Sequence, residues 1–188
     1  MAPNLNRHQR GAKDTLTTDN LKALIRDVPD FPKKGIVFKD ITPLLYDSRG
    51  LKTAIDMLSS HYQGNHVSVV VATEARGFII GPPIALNLNA GFVPVRKPGK
   101  LPYKTKSMTY ELEYGTDTVE IHEDAIKPGQ DVLMVDDVLA TGGTMAACCK
   151  LVESMGGNIV GCAFLLELTF LNGRKALGDR DVFSLIQF

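Results

Sequence analysis

Apolar residues along this chain follow two alternating periods. Val67–Ala72 reads VSVVVA, almost wholly apolar and β-branched, the character of a strand buried on both faces. Asp131–Asp136 and Ile159–Leu166 share it, and Gly91–Val95 is a shorter version. Between these runs the apolar positions recur at helical spacing. Leu51, Ala54, Ile55, Leu58 and Tyr62 follow Asp47-Ser48, Gly77–Leu88 is apolar with prolines near its start, and Thr144–Met155 is periodic. Strands alternating with helices over such spans predict right-handed crossovers and an α/β fold, a doubly wound, mainly parallel sheet flanked by helices. Upstream, Leu21, Leu24, Ile25 and Val28 predict a short helix, capped by Asp19 or Asn20 and stopped by Pro29-Asp30-Phe31-Pro32.

The pattern lapses twice. Residues 1–20 are polar and read as a flexible N-terminal extension; they lack an apolar stretch of secretory length, so export is not expected. Residues 21–188 read as a single domain. Within it KPGKLPYKTKS, from Lys97, is polar, basic and broken by prolines, while Met108–Tyr114 and Thr118–Glu123 alternate as half-exposed strands. A mobile loop over about 97–115, leading into a hairpin, is expected. Its lysines 97, 100, 104 and 106 suit an anion-facing lid; a solvated charged loop is the plainer alternative.

Composition narrows the ligand. Lys+Arg and Asp+Glu are equal at 21 each, without the basic excess of a nucleic-acid binder. No apolar run approaches the ~20 residues of a membrane span. Cys148, Cys149 and Cys162 lack metal or redox spacing and read as reduced thiols of a cytoplasmic protein. His8, His61, His66 and His122 are scattered without ligand spacing, so no dedicated protein metal site is expected.

The chemistry concentrates in VLMVDDVLATGGT, Val132–Thr144. A buried strand ends in Asp136-Asp137, and Ala140-Thr141-Gly142-Gly143-Thr144 opens the next helix. In open α/β sheets ligands bind at the carboxyl ends of strands. Glycines let backbone N–H groups converge on an anion, with the threonine hydroxyls and the positive helix end adding to the attraction. Paired carboxylates accept from vicinal hydroxyls, so the segment fits a sugar phosphate. The chain lacks G-x-x-x-x-G-K-[ST] and G-x-G-x-x-G, which argues against nucleoside triphosphates and dinucleotides. A strand end with an aspartate cap and a glycine turn is the plainer alternative.

This segment resembles the phosphoribosyl-diphosphate signature of the type I phosphoribosyltransferases. DFPKKGIVFKDITPLL at Asp30–Leu45, EARGFIIGP at Glu74–Pro82, RKPGKLP at Arg96–Pro102, LEYGTDTVEIHEDAIKPGQ at Leu112–Gln130 and LLELTFLNGR at Leu165–Arg174 are similar to the adenine-specific branch of that family, over about 21–188. The resemblance implies a small N-terminal hood over about 30–45, a homodimer, and conversion of adenine and 5-phosphoribosyl 1-diphosphate to AMP and diphosphate. It implies that Asp136, Asp137 and Ala140–Thr144 hold the ribose 5-phosphate. Arg76, after a peptide that is often cis, would bind diphosphate with Arg96 and Lys100. Val37, Phe38, Lys39 and Val138 would contact adenine, with main-chain groups of Val37 and Lys39 reading its amine edge. Glu113 and Tyr114 would be catalytic beside Arg76, with Glu113 handling the purine proton; Glu111 lies on the same face of an extended strand. Mg2+ would bind mainly through substrate oxygens and water. An enzyme for another base, or a non-catalytic sensor of phosphoribosyl diphosphate, would share the Asp-Asp and TGGT segment.

Overall fold

The computed structural model describes residues 16–111 and 115–188, which form two compact units, one ending at Thr53 and one spanning Ala54–Phe188. In the first, helix α1 (Thr18–Ala23) is followed by strands β1 (Arg26–Pro29) and β2 (Val37–Asp40), paired antiparallel, and helix α2 (Thr42–Tyr46). The α1 cap is Thr17 rather than Asp19 or Asn20. Its hydroxyl accepts from the Asn20 N–H at 3.3 Å, and Asn20 Oδ1 accepts from the Thr17 N–H at 3.0 Å, a reciprocal capping box. The helix also stops short of the expected Val28. Pro29 biases Val28 toward extended backbone, and cross-strand ion pairs Arg26–Asp40 and Lys39–Asp27, both 2.6 Å, fasten β1 to β2. Helix α3 (Ser48–His61) contains the boundary between the units; Asp47 Oδ1 accepts the Gly50 N–H at its start, at 2.7 Å.

The second unit is built on strands β3 (Val69–Thr73), β4 (Gly91–Val95), β7 (Asp131–Leu139), β8 (Asn158–Glu167) and β9 (Val182–Gln187), all parallel, in the order β4-β3-β7-β8-β9. Helix α4 (Gly77–Asn87) links β3 to β4 and α5 (Gly143–Ser154) links β7 to β8, while strands β5 (Thr105–Glu111) and β6 (Thr116–His122) form an antiparallel hairpin. The doubly wound α/β architecture is therefore present. β9 was not anticipated, and β7 continues three residues past Asp136 through pairing of Val138 with Leu166 and Leu139 with Glu167. Asp136 and Asp137 thus lie inside the strand, but beyond Val135, the last β7 residue that pairs with β3.

Right-handed crossovers that progress in opposite directions along the sheet put their helices on opposite faces. Alternation along the strands agrees. Val69, Val71, Val132, Met134, Cys162 and Phe164 pack with α5 residues Ala147, Cys148, Leu151 and Val152. Ala72, on the other face of β3, meets α4 at Gly81, where an added Cβ would lie 2.9 Å from both Ala72 Cβ and Phe92 Cε2. Gly81 has no positive φ, so it is required by closeness. Gly81→Ala should gain ~1 kcal/mol of helix propensity but incur ~1–3 kcal/mol of overpacking against the fixed Ala72. A net loss of stability is expected in urea titration; a more stable variant would show that α4 can move away from the sheet.

Candidate active site

The chain reverses its direction of progress across the sheet between β3 and β7, and at such a switch point the connections leaving two neighbouring strands diverge to open a crevice. Beyond β3 the chain runs Glu74-Ala75-Arg76 into α4, with the Glu74–Ala75 peptide cis. Gly77 brings α4 so close to β7 that an added Cβ would sit 2.9 Å from Asp136 Oδ1 and 3.4 Å from the Val135 carbonyl. Arg76 donates through Nε to Asp137 Oδ2, and Asp137 is only 6% exposed.

Asp136 accepts the Asp137 N–H at 2.9 Å through Oδ1. Burial, then the neighbouring Asp137 charge, push its carboxyl well above the usual carboxylate range, against the pull of the Thr73 hydroxyl. That hydroxyl is buried near the Asp136 carboxyl but does not reach hydrogen-bond geometry with it or with any other described residue. The β7 edge therefore offers two carboxylates in unlike environments, one ion-paired and one destabilised as an anion.

Ala140–Thr144 follows directly. Gly142 has φ +82°, a left-handed conformation that favours glycine, and begins α5 with its carbonyl accepting the Ala146 N–H at 2.9 Å. The first N–H groups of a helix lack intrahelical partners and face outward with the positive end of its dipole, and the first turn of α5 carries no acidic residue. The loop can hold a dianion such as a phosphate monoester.

The basic loop supplies further charge under tight control. Arg96 pairs with Glu74 at 2.9 Å and donates through Nη1 to the Lys100 carbonyl at 3.2 Å, while Glu74 Oε1 accepts the Lys97 N–H at 2.7 Å. Burial would raise the Glu74 carboxyl, but the Lys97 N–H, Arg96 and the Lys100 charge hold it below its ordinary range. The Lys97 ammonium pairs with Asp117. Tyr110 donates its phenolic hydrogen to Asp117 Oδ2 at 3.0 Å, and its oxygen lies 2.9 Å from Thr144 Oγ1. The hairpin is thereby joined to Thr144, at the start of α5, through Tyr110, itself held by Asp117; neither residue was singled out from the sequence. The alternation along β5, which turns Met108 and Tyr110 inward, was the available signal.

Arg76, Arg96, Lys100, Asp136, Asp137, Val138 and Ala140–Thr144 all lie in the second unit: Asp136, Asp137 and Val138 in β7, Gly143 and Thr144 in the first turn of α5, and the others on connecting segments. Val37, Phe38 and Lys39 form β2 of the first unit. Val37 is 48% exposed, Phe38 meets Phe31 edge to face at 5.2 Å, and the Lys39 side chain is bound to Asp27. Glu113 and Tyr114 lie outside the described residues, as do residues 1–15 of the N-terminal extension. Among the described residues no three His, Cys, Asp or Glu side chains cluster as a metal site.

A parallel sheet whose switch point carries paired carboxylates, a glycine-rich segment opening a helix and a charged loop has the layout of a phosphoribosyltransferase, and the phosphoribosyl transferase domain model matches residues 44–186. An adenine phosphoribosyltransferase of Acidobacterium capsulatum is 58% identical over 174 residues, covering 93% of this chain and 96% of that one. The crystal structure of adenine phosphoribosyltransferase from Thermoanaerobacter pseudethanolicus superposes with a TM-score of 0.89 at 56% identity, over 92% of this chain and 100% of that one. The Saccharomyces cerevisiae enzyme, solved with an imino-altritol bisphosphate and adenine, gives 0.86 at 41%, over 90% and 98%. The chain belongs to the adenine phosphoribosyltransferases, and is an enzyme of the phosphoribosyl-transfer class.

The raised Asp136 carboxyl has a measurable consequence. A carboxyl whose folded pKa exceeds its unfolded value favours folding below the unfolded value and loses that contribution as pH rises through the folded one. Asp136→Asn, whose amide oxygen can still accept the Asp137 N–H, should therefore raise the unfolding temperature at pH 8 and leave it near wild type at pH 3.5. Equal shifts at both pH values would contradict the assigned environment.

Proposed function

We propose that this enzyme forms AMP and diphosphate from adenine and 5-phosphoribosyl 1-diphosphate in purine salvage, through an oxocarbenium-like transition state at ribose C1. The reading rests above all on the meeting of Arg76, the Asp136-Asp137 pair and the Gly142 loop at one edge of the sheet. Thr141, Thr144 and the Ala140, Gly142 and Gly143 N–H groups bind the 5-phosphate. Asp136 and Asp137 accept from the ribose 2- and 3-hydroxyls. As the C1–O bond breaks, the electron pair leaves with the diphosphate, and Arg76, Arg96 and Lys100 bind the charge that grows there. N9 of adenine forms the new bond to C1, and the Glu113 carboxylate takes the N9 proton, with Tyr114 beside it. Val37, Phe38 and Lys39 recognise the base, with a contribution from Val138. The Lys39 ammonium already serves Asp27, which supports reading by its main chain.

Asp137 and Asp136 are engaged by Arg76 and by a backbone N–H, so these acids fit a supporting place behind substrate oxygens and water in holding Mg2+ rather than a cage. The ion would supply charge neutralisation for the leaving diphosphate. A homodimer is supported by α4, where Ile79 and Leu86, two turns apart on one face, are 44% and 77% exposed. The three cysteines are free thiols, in keeping with a reducing cytoplasm.

A base panel with purified protein tests the substrate, and diphosphate release only with a base other than adenine would replace the reading. Glu113→Gln tests the mechanism. Loss of a general base typically costs ~10²–10⁴ in rate, so kcat should fall by that order while the KM for phosphoribosyl diphosphate holds. Unchanged turnover would remove Glu113 from the chemistry.

A further inference from the structure

Gly173 stands in the turn between β8 and helix α6 (Arg174–Leu177), in a stretch given no part in the reaction above. Its backbone, φ −58° and ψ −26°, lies in the ordinary right-handed region, open to any residue. Conformation therefore does not explain the missing side chain. Closeness does. An added Cβ on Gly173 would lie 2.2 Å from the Ala140 carbonyl oxygen and 2.9 Å from Leu139 Cδ1. The contact is reciprocal, since a Cβ on Gly142 would lie 2.3 Å from the Gly173 carbonyl oxygen and 3.0 Å from Ala176 Cβ. Two backbones lie against each other here, and one of them is the phosphate loop.

The position of Gly173 is in turn held firmly. Arg174, the next residue, meets Glu167 as a two-pronged pair, Nε to Oε1 at 2.9 Å and Nη2 to Oε2 at 2.7 Å, and donates through Nη1 to the Val182 carbonyl at 2.9 Å. Glu167 ends β8 at 3% exposure, its backbone in register with Leu139, the residue before the phosphate loop. The Leu168 N–H donates to the Leu139 carbonyl at 2.9 Å, and the Gly173 carbonyl accepts the Ala176 N–H at 3.1 Å. A bidentate arginine–carboxylate pair fixes direction as well as distance. Arg174 thus ties the end of β8 to the start of β9 and presses Gly173 against Ala140 and Gly142.

We propose that Gly173, Arg174 and Glu167 are positioning residues for the reaction: they brace the Ala140–Thr144 loop from behind and set the convergence of its N–H groups on the 5-phosphate. None of the three touches substrate. The inference rests on the reading of that loop as the 5-phosphate cradle. A misplacement of about 1 Å at a binding group can cost ~100-fold, and a Cβ at 2.2 Å from a carbonyl oxygen forces a displacement of that order.

Calorimetric titration of the full-length protein with ribose 5-phosphate, together with the separate KM values for phosphoribosyl diphosphate and adenine, tests the brace. Gly173→Ala should weaken ribose 5-phosphate by about tenfold or more, equivalent to ~1.4 kcal/mol, and raise the KM for phosphoribosyl diphosphate while leaving that for adenine unchanged. Arg174→Lys, which keeps the charge but loses the fork, should move both phosphate readouts the same way by a smaller factor, and it carries the test if Gly173→Ala does not fold. A folded Gly173→Ala or Arg174→Lys variant with wild-type ribose 5-phosphate affinity overturns the proposal, as does an equal loss of adenine and phosphate affinity, the mark of general loosening. Thr141→Val and Thr144→Val separate the two levels. If they leave ribose 5-phosphate binding intact, the cradle itself is misassigned; if they weaken it and the brace variants do not, the brace alone fails.

Discussion

Parallel pairing of β3 with β7, from Val69↔Val132 to Ala72↔Val135, is the contact on which the active edge depends. β3 sends its crossover toward β4 and β7 sends its crossover toward β8, so the loops leaving these neighbours must diverge. The pairing stops at Val135 because β3 turns away at Thr73 into the Arg76 loop. Asp136 and Asp137 are left standing beyond their neighbour, one strand position past a fully buried core. Shifting the register by one residue would exchange the inward and outward faces of β7, removing Val132 and Met134 from the α5 side of the core along with both carboxylates from their places.

The chain carries no net charge, yet this edge gathers three cations. Arg76, Arg96 and Lys97 each meet a carboxylate, Asp137, Glu74 and Asp117 respectively. An anion entering the crevice must compete with these acids, which lowers the attraction of each cation. In compensation, side chains with several rotatable bonds are held near one geometry before the ligand arrives, and less conformational entropy is lost on binding. What these pairs supply is direction rather than raw attraction.

Much of this was legible in the sequence. VVVA within VSVVVA and VLMV are short apolar runs that form strands buried on both faces, although β3 begins only at Val69, and TGGT marks a helix start, with its first glycine at φ +82°. Local rules failed where a long-range contact decided. The run Leu21 to Val28 satisfies a helical period, but Arg26–Asp27–Val28 is drawn into a strand by partners at Lys39 and Asp40, twelve to fourteen residues away. Tyr110 and Asp117 acquire their connection to Thr144 only when the hairpin closes, and β9 pairs with a strand whose start lies more than twenty residues upstream.

Glycine shows the division most clearly. Gly142 is required by its own backbone angles, and a sequence reader can infer it from the turn that it must make. Gly77, Gly81 and Gly173 have no positive φ; what they require is a neighbour too near for a methyl group, namely Asp136, Ala72 and Ala140. A missing side chain of this second kind records a contact between separate elements, distant in the chain at Gly77 and Gly173. At Gly77 and Gly173 the contacts flank β7 at its carboxyl end, from the α4 side and from the turn after β8. The α4 backbone therefore lies against the strand that carries Asp136 and Asp137, and the Gly173 backbone lies against the loop that follows it. At Gly173 the neighbour is the Ala140 carbonyl, which has no rotamer to relax, so a one-carbon addition must be absorbed by movement of the loop; at Gly77 the nearest atom is the Asp136 carboxylate, which such an addition would push from its place.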